Sequence, residues 1–175
     1  MSKSIKQDNK IRELRDTLGQ FTTGVAIVTA PGEDARPIGM TINSFGSISL
    51  SPALVSWCID LRAASHEAFV KARHFSITVL AAHQAELAMR FATRGADKFR
   101  DVETDGEAAP VIAGGCAWFK CNLVRTIQLG DHTMLVGEVS EFAQARVAPL
   151  IFSGGSFCQL PADCVDTDHH AARAA

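Results

Sequence analysis

The chain has 175 residues, of which 47% are hydrophobic and 21% charged, the balance of one globular domain long enough to bury a core. A net charge of −2 provides no basic footprint for a nucleic-acid backbone, and no window reaches the roughly 18 apolar residues that a membrane span requires. The polar start, MSKSIKQDNK, lacks the apolar run of a signal peptide, so a cytoplasmic protein is expected.

Residues 1–9 read as disordered. From Lys10 to Phe21, the apolar residues Ile11, Leu14, Leu18 and Phe21 follow a three-and-four spacing that predicts an amphipathic helix. Gly24–Ala30 is β-branched and short, hence a strand, and Pro31-Gly32-Glu33-Asp34 supplies turn chemistry for a hairpin. The partner strand runs over Gly39–Ser49 and is punctuated by Pro52, ahead of a compact apolar strand, Ala53–Asp60. A short helix over His66–Lys71, a strand over Phe75–Leu80 and a helix over Gln84–Thr93 follow. Residues 94–115 carry scattered glycines and Pro110, a long connection of the kind that often serves as a functional loop or lid. Strands over Ala117–Gln128, Thr133–Ala145, Pro149–Phe152 and Ser156–Leu160 complete residues 10–160 as one domain, and 161–175 read as a flexible tail. About seven strands, adjacent in sequence, against three helices imply a mostly β, α+β fold: an antiparallel barrel with helices at its ends.

Several chemistries lack their motifs. No G-x-G-x-x-G follows a strand, no Walker loop occurs, and Ser153-Gly154-Gly155-Ser156 has no helix after it to make a nucleophile elbow. Five cysteines, Cys58, Cys116, Cys121, Cys158 and Cys164, form no C-x-x-C pair and read as small buried hydrophobes. His169 and His170 are adjacent and cannot easily face one ion, so no metal site is expected. No catalytic triad emerges either.

The strand over Gly39–Ser49 is the informative one. On a continuous strand Thr41, Asn43, Phe45, Ser47 and Ser49 share a face. A face of Thr, Asn and Ser is poor core material and meets either water or a polar ligand. Lys98, read alone, is a solvated loop lysine; His132 alone is a turn histidine; Phe157 alone is a core aromatic as readily as a ligand contact.

The segments GMTINSFGSISLSPALVSWCID, FSITVLAAHQAELAMRFA, DKF, GDHTMLVGEV and PLIFSGGSF occur in this order between about Leu14 and Leu160. In these the chain resembles the flavin reductase-like family, the small reductases that feed two-component monooxygenases. The resemblance implies an FMN-binding split β-barrel, dimeric, binding FMN or FAD near the subunit interface and taking hydride from NADH or NADPH. It implies that Met40, Thr41, Asn43 and Ser44 hold the isoalloxazine ring, and that Ser65 lies in a turn near the flavin phosphate. Ala63 and Ala64 stand where that turn commonly carries hydroxyls, which leaves the phosphate to Ser65, Arg62 and backbone amides. Lys98 and Phe99 match a basic–aromatic pair on the flavin tail, and His132 and Phe157 match positions beside the nicotinamide dinucleotide. The function so implied is an NAD(P)H:flavin oxidoreductase supplying a monooxygenase that acts on an aromatic compound. Two alternatives stay open: a reductase of another acceptor, such as a corrinoid or iron complex, and a flavin-binding electron carrier that does not turn over NADH.

Overall fold

The computed structural model describes residues 2–32 and 36–160. In chain order these form α1 (Ser2–Leu18), β1 (Thr23–Gly24), β2 (Ala26–Pro31), β3 (Pro37–Ile42), β4 (Gly46–Leu50), β5 (Ala53–Asp60), α2 (His66–Lys71), β6 (His74–Val79), α3 (Ala85–Ala92), β7 (Ala117–Leu129), β8 (His132–Gln144), β9 (Leu150–Ser153) and β10 (Ser156–Gln159). The tail over 161–175, with Cys164, His169 and His170, lies outside the described residues, as do 33–35 of the expected turn.

Seven strands form one antiparallel sheet in the order β3-β2-β6-β7-β8-β5-β4. Strands β3 and β4 are consecutive in the chain yet occupy opposite edges of this sheet. Only Asn43, Ser44 and Phe45 join them, a connection that spans at most about 14 Å. The sheet therefore curls until its two edges approach, and no ladder joins them: it is a barrel split along the β3/β4 seam. A second, three-stranded sheet has the order β1-β9-β10.

Inside the curl lies a core of Val28, Val55, Trp57, Ile59, Phe75, Ile77 and Leu135, closed at one end by Phe69 of α2. Trp57 anchors it edge-on to Phe69 (5.0 Å between centroids) and Phe75 (5.9 Å). A second core, with Val25, Ile27, Leu80, Phe91 and Leu150, fills the space between the sheet's outer face, α3 and the small sheet. Strand β2 is buried on both faces, Ala26 and Val28 pointing to one core and Ile27, with Val25 just before the strand, to the other. This explains why it reads as unbroken hydrophobic sequence.

The structure differs from the sequence expectations in four places. The single strand over Gly39–Ser49 is two strands, because Ser44 Oγ accepts from Cys58 N (3.0 Å) and breaks the run. Thr41, Asn43 and Ser47 therefore do not share one face. Residues 2–9, expected to be disordered, are the first half of α1: they contain no helix breaker and two lysines that favour helix. Of the cysteines described, only Cys121 is buried, its thiol pushed up to about 12 by desolvation. Cys58 and Cys116 are half-buried and Cys158 is exposed.

The long connection is also more ordered than a lid. Thr29 Oγ1 donates to Pro110 O and Ser76 Oγ to Ala109 O, each at 2.7 Å, while Thr78 Oγ1 accepts from Ile112 N at 3.1 Å. Lys120 reaches back to Asp105 (3.2 Å) and Glu107 (2.8 Å). Its second half is thus clasped to β2, β6 and β7. In its first half, Ala96–Phe99 borders the largest described cleft's open space.

Candidate active-site cleft

A cleft of about 950 Å³ opens between the β2–β3 hairpin, α2 and the Ala96–Phe99 segment. Of the residues singled out in the sequence, Ser65, Lys98 and Phe99 line it. Ser65 stands at the N-cap position of α2 but makes no side-chain cap bond, so its hydroxyl is uncommitted among the described residues. Lys98 is half-buried and Nζ donates to Gly39 O at 2.9 Å. Burial pushes its pKa below the ordinary lysine value, since little around it compensates the desolvated charge. Phe99 stacks edge-on against Phe91 (5.1 Å) and packs into the second core, so it both supports the wall and lines it.

The cleft also presents Arg36, Lys71, Arg73 and His74, which sequence reasoning passed over. A signal existed: Lys71-Ala72-Arg73-His74 is a basic run at the end of a predicted helix. With Lys98, four lysine and arginine side chains face the carboxylates of Glu67 and Asp97, in a chain whose net charge is −2. Lys71 is itself paired with Glu67. The excess of positive charge around a desolvated amine fits an anionic group such as a phosphate.

The remaining candidates lie beyond the cleft. Met40 packs against the barrel core. Thr41 Oγ1 donates to Ala88 O of α3 at 2.6 Å, which ties the β3 edge to that helix. Asn43 is exposed in the crossover and has no side-chain partner among the described residues. Ser44 is fixed through its clasp on Cys58 of β5. Two residues on from Cys58, Asp60 is paired across the ladder with His132.

His132 owes its position to the turn before it. Gly130 takes φ 60° while Asp131 does not take positive φ, a type II′ hairpin that places His132 first on β8. Its Nδ1 lies 2.8 Å from Asp131 Oδ1, and this contact holds the Asp131 carboxyl below its ordinary range. Arg62 is bound to Asp60 through Nε (3.1 Å) and Nη2 (2.8 Å) and holds that carboxyl well below the carboxylate range. Arg62 does not line the cleft, so its implied phosphate role has no counterpart here. The next residue on β8, Thr133, has Oγ1 2.9 Å from Nε2 of His66, the first residue of α2 and the neighbour of Ser65.

Bonds, ladder pairs and chain neighbours connect Ser65, His66, Thr133, His132, Asp60, Cys58 and Ser44, a path that passes through β8 from its core face at Thr133 to its outer face at His132. Phe157 is not on it. It sits in the small sheet, 5.6 Å from Phe152, as part of the second core. Among the described residues no group of His, Cys, Asp or Glu is arranged to hold a metal ion. Among the described residues no helix is long and apolar enough to cross a membrane.

The model of the flavin reductase like domain matches residues 18–161. The chain belongs to this family. It is 47% identical over 148 residues to FMN reductase (NADH) SmoA of Agrobacterium fabrum, covering 83% of this chain and 84% of that protein. It is 39% identical over 151 residues to the reductase component of the flavin-dependent trigonelline monooxygenase of Acinetobacter baylyi, covering 85% of this chain but 49% of that longer protein. Among solved structures, the NADH:FAD oxidoreductase SgcE6 of Streptomyces globisporus, in complex with NAD and FAD fragments, superposes with a TM-score of 0.83 at 37% identity, covering 89% of this chain and 95% of that one. The split-barrel fold read from the sequence is therefore both observed and shared.

Proposed function

We propose that this chain is an NADH-dependent flavin reductase that passes reduced FMN or FAD to a partner monooxygenase acting on an aromatic compound. The observation that carries this reading is the half-buried, desolvated Lys98 in a cation-lined cleft. Family membership supports it, and so do the NADH-linked reductases among the relatives.

Lys98 and Ser65 hold the flavin phosphate, the lysine with a charge-assisted bond that offsets its own desolvation. Asn43, with both ends of its amide free among the described residues, meets the polar edge of the ring, and Ser44 keeps that crossover in place by its grip on Cys58. Met40 and Thr41 hold the strand beneath. Asp131, ionised, accepts from Nδ1–H of His132, which leaves Nε2 to face the nicotinamide dinucleotide; Phe157 serves the same site from the small sheet. When bound, the flavin supplies the ring that takes hydride from NADH. The chain contributes binding, alignment and exclusion of water rather than an acid or base.

A homodimer in the cytoplasm belongs to the same proposal. Leu14, Leu18 and Phe21 are 58%, 65% and 80% exposed, an apolar row that a second copy would cover. Light scattering tests it: twice the mass of one chain is expected, and a monomer at micromolar concentration with flavin present contradicts it. The activity is tested by steady-state NADH oxidation with and without added FAD or FMN. Flavin-dependent consumption is expected. Consumption at the no-enzyme rate with both flavins, and with NADPH as well, rejects the reading.

A further inference from the structure

On the reading that this cleft binds a flavin, we infer that it is built for the adenosine diphosphate end of FAD, with Arg73 and His74 as the residues that select FAD over FMN. The residues assigned to the flavin ring, Met40, Thr41, Asn43 and Ser44, do not line the cleft at all. Its whole volume of about 950 Å³ therefore serves the tail, at the upper end of the roughly 300–1,000 Å³ that entire small ligands occupy. A ribityl phosphate leaves most of that space empty.

Two walls extend the same way past the phosphate anchors. One is α2 with its flanks. From Ser65 at its start to Arg73 beyond its end the chain advances about 12 Å at helical rise. The other is the β2–β3 hairpin, which from Gly39, where Lys98 is anchored, runs to Arg36, about 10 Å at strand rise. The two far ends coincide. Thr29 pairs with Ser76 across β2 and β6, and carrying that register two residues further sets His74 beside Pro31, which itself pairs with Pro37. Arg73, His74, Arg36, Pro31, Pro37 and Ile38 thus gather at the end away from Ser65.

Their chemistry matches what lies beyond the first phosphate of FAD. Arg73 is exposed and has no ion-pair partner among the described residues. Its guanidinium can bond a second phosphate and lay its planar face on a purine. Pro31, Pro37 and Ile38 give the purine an apolar wall, and the His74 imidazole gives it a hydrogen-bonding edge.

The test is the dissociation constant of each flavin, measured by equilibrium dialysis and by flavin fluorescence quenching, for the full chain and for Arg73→Ala, His74→Ala and the double variant. Expected is FAD tighter than FMN by about tenfold or more in the unaltered protein, with the variants losing about that factor for FAD alone. Circular dichroism identifies a variant that fails to fold; the unaltered protein's FAD to FMN ratio and the milder Arg73→Gln variant then decide. Equal affinity for the two flavins in the unaltered protein overturns the inference, as does an equal loss for both in the variants, which would make Arg73 a ligand of the single terminal phosphate. Binding of neither flavin at any concentration rejects the flavin reading itself, a different failure from tight binding without preference.

Discussion

Lys98 Nζ spends one of its three protons on the carbonyl of Gly39, 2.9 Å away, and no carboxylate among the described residues pairs with it. That single bond fixes the amine over the β3 edge and leaves two donors facing the cleft. Lys98→Ala is expected to weaken flavin binding by about 1.5–3 kcal/mol, the range for a charge-assisted bond, with the fold retained. Titration of flavin fluorescence checks this, and an unchanged dissociation constant would reduce Lys98 to a wall residue.

The same lysine gives binding a pH dependence. Burial holds its pKa below the ordinary value, and a bound phosphate favours its charged form. Affinity should therefore be highest below that lowered pKa and fall as pH rises through it. Lys98→Arg, which keeps its charge throughout, should flatten the decline. A dissociation constant that does not change up to strongly alkaline pH contradicts the assignment.

Gly39 matters for a different reason. A Cβ there would lie 2.6 Å from Phe91 Cε1 and 3.2 Å from Phe99 Cζ. Gly39→Ala is expected to cost about 1–3 kcal/mol of stability through overpacking, and to weaken flavin binding because Phe99 and Lys98 are displaced together. Thermal unfolding and a flavin titration read the two effects.

Ser76→Ala separates fold from site. It strips the buried Ala109 carbonyl of its donor, at an expected cost of about 1–3 kcal/mol in stability. The flavin constant should stay as it was, because only the clasped half of the long loop is touched. A large loss of flavin affinity in a folded Ser76→Ala protein would show that the whole loop closes the cleft.

His132→Ala should raise the KM for NADH by about 0.5–1.5 kcal/mol, one neutral hydrogen bond, with flavin affinity nearly unchanged. Asp131→Asn should show part of the same effect, since it removes the carboxylate partner of Nδ1. Normal NADH kinetics alongside reduced thermal stability would mark His132 as a structural turn residue.

Much of this was legible in the sequence because local chemistry and tertiary role agree. Gly130-Asp131 announces a hairpin, and the turn it makes places His132. The alternation of Val55, Trp57 and Ile59 announces a barrel strand. The β3–β4 break was not legible, because the bond that causes it joins Ser44 to Cys58, fourteen residues later. The far end of the cleft was hidden for a similar reason. Arg36 and Arg73 are distant in sequence and meet only through the pairing of β2 with both β3 and β6. Thr29, Ser76 and Thr78 show the converse. Buried hydroxyls on β2 and β6 turn inward to hold a loop rather than a ligand, and strand periodicity cannot tell the two apart.

The central claim is that this chain brings a nicotinamide and a flavin together for hydride transfer. Anaerobic mixing of the flavin-loaded protein with one equivalent of NADH tests it most directly, followed through the absorbance of oxidised flavin. This absorbance should be lost in step with NADH, one flavin reduced for each NADH consumed, far faster than in protein-free flavin and more slowly in His132→Ala. Flavin that binds but stays oxidised over the same time, with NADH unconsumed, would contradict it.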